Sequence, residues 1–242
     1  MTEQPKKSDW PESVKSVYFL CNPKKEVARF QRIVPHMLMR GIPKERLKIS
    51  SPTWGDSLEL GTIFRVYDPF LKRGPLPSFT FKAARLSKGE ISLMLNFFSA
   101  INNASTDLSD NESILVFESD SYLRRDFVPR LNEIMTDLSG QEWDYVSLGE
   151  GIGTRPPGAP STYYGHTKIY KPPHQWVFRC CDSMLLSKRF VSNLCKTFIP
   201  FKECLDWELN FQLMLHRGVA FWADPPLCEQ GSCFSRDATS LP

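Results

Sequence analysis

The chain has 242 residues, 41% hydrophobic and 24% charged, a balance that allows a large α/β domain with a real core and excludes wholesale disorder. Lysines and arginines exceed acids by 30 to 27, a formal charge of +3. That is too mild for a nucleic-acid binder, whose affinity comes from cations clustered on phosphates, yet it is compatible with a small phosphate-bearing ligand.

Residues 1–12 read as a flexible, polar lead, without the apolar stretch of a signal peptide. Val14–Cys21 is a β-rich run of buried-strand type, and Lys24–Arg40 follows as an amphipathic helix with Pro35 inside and Gly41 as its stop. Leu47–Ser51 reads as a second strand, so the chain opens strand–helix–strand, the start of a parallel sheet. Residues 68–86 read as an irregular, basic, proline-rich connection. Ser87 and Glu90 then form a capping-box pattern ahead of an apolar helix through Ala100.

Ser113–Phe117 is a fully apolar strand that ends in Glu118-Ser119-Asp120. A helix is expected over Asp126–Leu138 and a strand over Asp144–Leu148. Residues 149–175, rich in glycine and proline, read as a long loop, a lid or acceptor flap centred on Gly158–Lys168. Trp176–Leu186 resumes strand character, Lys188–Lys196 and Asp206–Arg217 are helical, and Val219–Ala223 is a last strand. No domain boundary or apolar run long enough to span a bilayer is visible. Seven irregularly spaced cysteines, including Cys180-Cys181, fit reduced thiols in a soluble cytoplasmic protein. On that reading the sequons at Asn103 and Asn111 are chance matches. Cys228 and Cys233 have a zinc-like gap but lack a second pair.

The acidic triplet is the most informative feature. In open α/β sheets ligands gather beyond the carboxyl ends of strands, and two carboxylates placed there can share a hard cation. Strand alternation would point Glu118 and Asp120 the same way and Ser119 elsewhere. Mg²⁺ or Mn²⁺ is commonly held by one or two carboxylates plus substrate phosphates. The competing reading is a pair of solvated strand-end acids, with Asp120 capping a turn.

Four segments together resemble glycosyltransferase family 25, which includes lipopolysaccharide and collagen galactosyltransferase-like domains and similar enzymes of large DNA viruses. They are VYFLCNPKKEVARF, LSKGEISLML, ILVFESDSYL and DPPLCEQGSCFS, spread over residues 14–235. The resemblance implies a single α/β domain of GT-A type over residues 13–242, with a mostly parallel mixed sheet flanked by helices. It implies an inverting transfer of a sugar from a nucleotide-sugar, UDP-sugar favoured and GDP-sugar next, to a hydroxyl of a glycan or glycoprotein. If the chain is viral, its compartment is the host cytoplasm. Glu118 and Asp120 correspond to the metal motif, with Ser119 in place of its central acid and near the donor. Asn22, Lys24 and Arg29 fall near the nucleotide, Glu90 lies in the family's Gly-Glu-Ile helix start, and Gln230 and Ser232 fall near the diphosphate. The Ser-His of that helix is missing, Asn96 and Phe97 lying in its place.

An inverting transfer also needs one general base. Asp206 and Glu208 are its candidates, although Asp206 fits an ordinary helix N-cap and Glu208 a dipole-favoured first turn equally well. Thr53, Trp54 and Asp56 follow the second strand, where Trp54 could stack on a base. Lys88 and Arg85 are cationic candidates for the donor phosphates, and His166 and His174 for the metal shell or acceptor. Two competing classes remain: a non-catalytic relative serving as a binding or scaffold module, and a sugar-1-phosphate nucleotidyltransferase. The second is disfavoured by the absence of glycine from CNPKKEVARF.

Overall fold

A computed structural model describes residues 9–71, 85–149, 168–171 and 180–231. Val14–Leu20 (β1) and Ser113–Glu118 (β3) form the sheet centre, because residues 16–20 and 113–117 are continuous runs of side chains buried on both faces. β1 pairs in parallel with β3 on one side and with Leu47–Ile49 (β2) on the other. Ser183–Ser187 (β7) runs antiparallel between β3 and Tyr145–Ser147 (β5). Ala220–Asp224 (β8) is parallel to β5, and Lys168–Tyr170 (β6) closes that edge antiparallel to β8. The order is β2-β1-β3-β7-β5-β8-β6. The sheet is therefore mixed and largely parallel. One edge collects the carboxyl ends of β1, β2, β3, β5 and β8 with the amino end of β7.

Helices cover both faces, giving three layers. Val27–Met39 (α1) and Phe127–Leu138 (α4) pack on the face carrying Val17, Phe19, Leu115, Phe117 and Leu185. Lys88–Ser105 (α3), Lys188–Thr197 (α5) and Leu205–Leu215 (α6) pack on the face carrying Tyr18, Leu20, Ile114, Val116 and Met184. Adjacent residues of β1 and β3 thus serve opposite cores, as a period of two requires. Among the described residues no helix is long and apolar enough to cross a membrane.

Local chemistry sets the element ends. Gly41 stops α1 with φ +92°, a conformation that glycine adopts without a Cβ penalty. α3 starts with the full capping box, Ser87 Oγ accepting from Glu90 N and Glu90 Oε2 from Ser87 N. The start of α1 is shifted from 24 to 27 because residues 22–26 close a turn. Asn22 Oδ1 accepts from Lys24 N and Lys25 N, and Glu26 Oε2 accepts from Asn22 N at 2.7 Å.

Other elements depart from expectation. A short helix, Leu60–Val66 (α2), precedes the basic connection, whose residues 72–84 lie outside the described residues. The stretch 149–175 is interrupted by β6, while the centre of the expected lid lies outside the described residues. A separate two-stranded sheet joins Ser121–Leu123 (β4) to Cys228–Gln230 (β9). Each of these strands is three residues long, too short to reveal an alternating pattern. Trp10, placed by sequence in the flexible lead, is buried at 5% exposure, and its Nε1 donates to Val14 O at 2.9 Å. Described cysteines are free thiols, whereas Cys233 lies outside the described residues.

Loss of a buried tryptophan removes both packing and a satisfied N–H. Trp10→Ala is therefore expected to destabilise the chain by about 3 kcal/mol in urea unfolding. A loss below about 0.5 kcal/mol, the usual range of surface substitutions, would mean that the segment around Trp10 contributes no packing.

Candidate functional site

β3 delivers the acidic triplet to the sheet edge and then ends. Glu118 is its last strand residue and half-buried, whereas Ser119 and Asp120 form a turn and are buried at 5% exposure each. Strand alternation therefore does not govern this triplet, because the backbone leaves the pleat between its two acids. The turn is fixed from several sides. Gly231 N donates to Asp120 O at 2.8 Å, and an added Cβ on Gly231 would collide with the Tyr122 ring.

β7 contributes a third acid that sequence reading missed. Phe117 pairs with Ser183, so Asp182 adjoins Glu118, whose backbone N donates to Asp182 O at 2.9 Å. Ser121 Oγ also donates to Asp182 O, and Ser183 Oγ donates to Asp182 Oδ2 at 2.9 Å. Asp182 is 1% exposed. Gly149, past the end of β5, lies against its carboxylate so closely that a methyl there would strike both oxygens. The sequence signal for it is an aspartate two residues ahead of the apolar run Met184–Leu186, hidden inside the longer strand-like stretch Trp176–Leu186.

Asp206 brings a fourth carboxylate from the first turn of α6. The N-cap of that helix is Cys204, not Asp206. Asp206 Oδ1 accepts from Cys204 Sγ at 3.1 Å and from Trp207 N at 2.9 Å. The convergence is felt at Glu118: burial first, then Asp120, Asp182 and Asp206, push its carboxyl well above the ordinary glutamate range, against the opposing pull of Arg29. Burial first, then Asp206 and Glu118, also raise the Cys181 thiol, which keeps it protonated and a poor nucleophile. Glu208 has a different surrounding. It is fully buried, with Oε2 accepting from Lys202 N and Glu203 N and Oε1 from Gln212 Nε2. Those bonds give it the work of anchoring the loop ahead of α6.

A second constellation links the acids to a neighbouring cleft. Arg29 Nη1 donates to Ser119 Oγ at 2.6 Å and to Glu26 Oε1 at 3.1 Å, and Ser119 Oγ donates to the same Glu26 oxygen at 2.8 Å. The Arg29 and Glu26 side chains are only 10% and 11% exposed. Ser119, expected to contact a ligand, is thus a crosspiece between the triplet and α1. Glu26 also lines a cleft of about 140 Å³ together with Leu20, Trp54, Asp56, Lys88 and Asn96.

The cleft walls are held by backbone contacts. The 3₁₀ turn Gly55–Ser57 rests on the start of α3 so tightly that a Cβ on Gly55 would lie 3.0 Å from Gly89 N. Asn96 Oδ1 accepts from Thr53 N and Thr53 Oγ1, and its Nδ2 donates to Thr53 O at 3.2 Å. Thr53 is therefore pinned behind the cleft, and Asn96, which lines it, is the residue that pins it. Lys88 Nζ donates to Leu58 O at 3.1 Å, while Glu90 is committed to the cap. Asn22 closes its own turn and Lys24 is exposed. Arg85 is exposed at the edge of the described residues. Gln230 pairs with Ser121 in the β4–β9 sheet, one residue from the triplet. Ser232, His166 and His174 lie outside the described residues.

Among the described residues no group of three or more His, Cys, Asp or Glu side chains is arranged to hold a metal ion. The donor set at Glu118 and Asp120 is hard oxygen. It fits a divalent cation whose remaining positions go to phosphate oxygens and water. No protein-family model and no curated protein matches the chain.

The raised Glu118 carboxyl carries a signed consequence. The folded state holds this proton more tightly than the unfolded state, so its stabilisation is full below the ordinary value of 4.5. It is lost as pH rises from there toward the raised value. Glu118→Gln is expected to flatten that decline and raise the melting temperature at pH 7–8, by about 2–4 °C per kcal/mol relieved. Parallel melting curves for the two proteins from pH 4 to 8 would contradict the crowding of acids at Glu118. Gly149→Ala should displace the Asp182 carboxylate and lower the melting temperature; an unchanged value would show that the carboxylate has room to move.

Proposed function

We propose that the chain is a metal-dependent inverting glycosyltransferase that moves a sugar from a nucleotide-sugar, UDP-sugar favoured, to a hydroxyl of a glycan or glycoprotein. One arrangement carries the reading: Glu118 and Asp120 end β3 at the carboxyl edge of a largely parallel sheet, β7 sets Asp182 beside Glu118, and Asp206 is near enough to act on its charge. Ser119, between the first two acids, donates to Glu26, which lines a cleft containing Trp54. The resemblance to family 25 and to its GT-A fold supports the same reading, and the mixed sheet order is compatible with it.

Glu118 and Asp120 would hold Mn²⁺ or Mg²⁺, which when bound neutralises charge developing on the leaving diphosphate. Trp54 offers its ring to the base, and Asp56 can accept from ribose hydroxyls. Arg29 keeps Ser119 and Glu26 in register with the acids and tempers their mutual repulsion. Asp206 is the better candidate for the base that takes the acceptor hydroxyl proton as that oxygen bonds to the anomeric carbon and the sugar–phosphate bond breaks. It is half-buried beside Glu118, whereas Glu208 is fully buried and hydrogen-bonded.

The test is a screen of UDP-, GDP- and CMP-sugars, with and without Mn²⁺, read by thermal shift and by donor turnover. A UDP-sugar with Mn²⁺ should raise the melting temperature, since a ligand of the native state stabilises it, and should support sugar release or transfer. Asp120→Asn should cut turnover by roughly 100-fold or more in a folded protein. Full turnover in that variant would overturn the assignment. Nucleotide-sugar binding without turnover would favour the binding-module reading.

A further inference from the structure

On the far side of the acidic triplet, α1 lies against β4. It presents Arg29, Arg32, His36 and Arg40 at spacings of three, four and four, which places them along one face. Arg29 ends at Ser119, as described. The Arg32 guanidinium lies 5.9 Å over the Tyr122 ring, and the His36 ring is 5.4 Å from the same ring. His36 Nε2 accepts from Leu123 N at 2.9 Å, and Arg40 Nε donates to Leu123 O at 3.2 Å. Arg32, His36 and Arg40 are thereby fastened along β4, and the chain continues directly into Arg124 and Arg125.

His36, Arg40, Tyr122, Arg124 and Arg125 line a cleft of about 350 Å³, large enough for a sugar-sized group. Its acids are already engaged: Asp126 accepts from Arg130 Nε at 2.5 Å, and Glu229 lies 3.7 Å from Arg124 Nη2. Arg125 is exposed. Arg124 Nε is different. It is buried and has no hydrogen-bond partner, while the side chain as a whole is 36% exposed, so an unused donor sits on a guanidinium that still meets the cleft. An oxyanion lying side-on to the guanidinium accepts from Nε and a terminal nitrogen at once, the two-point geometry in which arginine binds phosphate and carboxylate most strongly.

We infer that the cleft between α1 and β4 is a binding site for an oxyanion, the phosphate, sulfate or carboxylate of a small ligand. The Arg124 guanidinium is its principal donor, with Arg40 and Arg125 beside it. The site is separate from the Glu118 acids, which repel anions, and it stands whether or not the chain transfers sugar. Its arginines do two jobs. Arg40 ties α1 to β4 through Nε, and its terminal nitrogens remain for the ligand.

Calorimetric titration of the full chain with inorganic phosphate, glucose 6-phosphate and glucuronate, at fixed ionic strength, tests the inference and separates a free anion from a sugar-borne one. Saturable binding of at least one probe is expected. It should weaken about tenfold or more in Arg124→Gln, as loss of a charge-assisted pair requires, and persist in Asp120→Asn. Arg125→Gln, on an exposed residue that leaves the core untouched, should also weaken it and decides the matter if Arg124→Gln fails to fold. No binding of any probe overturns the inference, as does binding that survives the folded Arg124→Gln variant. Failure of nucleotide-sugar turnover would leave both results intact.

Discussion

Like charges do not gather in a folded chain unless something holds them, and the crowding of Glu118, Asp120, Asp182 and Asp206 is the constraint from which the candidate site follows. Two devices impose it. The antiparallel entry of β7 beside β3 sets Asp182 next to Glu118 by backbone pairing, which repulsion between side chains cannot undo. The Arg29–Glu26–Ser119 cluster then clamps the triplet to α1 in a nearly solvent-free position. Burial amplifies the repulsion because a low-dielectric setting screens it less. The result is a Glu118 carboxyl held well above the ordinary glutamate range. Charge stress of this kind, confined to a sheet edge beside a cleft, is a mark of a functional site more often than of a scaffold.

Around this focus the structural roles sort cleanly. Residues that close turns and caps, Asn22, Glu90 and Glu208, have their oxygens committed to backbone N–H groups. Their substitution should disturb loop positions first. Gly55, Gly149 and Gly231 occur where a side chain would collide with backbone, a carboxylate or a ring. Each lies on the rim of the site, so the rim is built from close backbone approach, with chemistry left to a few side chains. The basic residues of α1 continue from the clamp at Arg29 to Arg40, which lines a cleft with Arg124.

Much of the framework was legible because it depends on local pattern. The apolar run of β3 ending in acids, the Ser87–Glu90 capping box and the Gly41 stop were all read from short windows, and each arises from neighbouring residues. What escaped depends on contacts distant in sequence. Asp182 acquires meaning only when β7 inserts between β3 and β5, a pairing that no window around residue 182 encodes. The β4–β9 sheet joins segments more than 100 residues apart through strands of three residues each. Glu208 read as a first-turn helix acid, yet the loop folding back over α6 turned it into a buried acceptor. Trp10 looked like part of a polar lead because its partners in the core belong to later elements.

The central claim is that Glu118 and Asp120 turn their oxygens to a shared point beside the Trp54 cleft. Crystals grown with UDP and Mn²⁺ and measured at the manganese absorption edge test it most directly. The account predicts an anomalous peak at roughly 2.0–2.3 Å from an oxygen of each acid, as expected for a hard divalent ion, in contact with the diphosphate. Diphosphate density elsewhere, with both carboxylates turned from any bound ion, would contradict it.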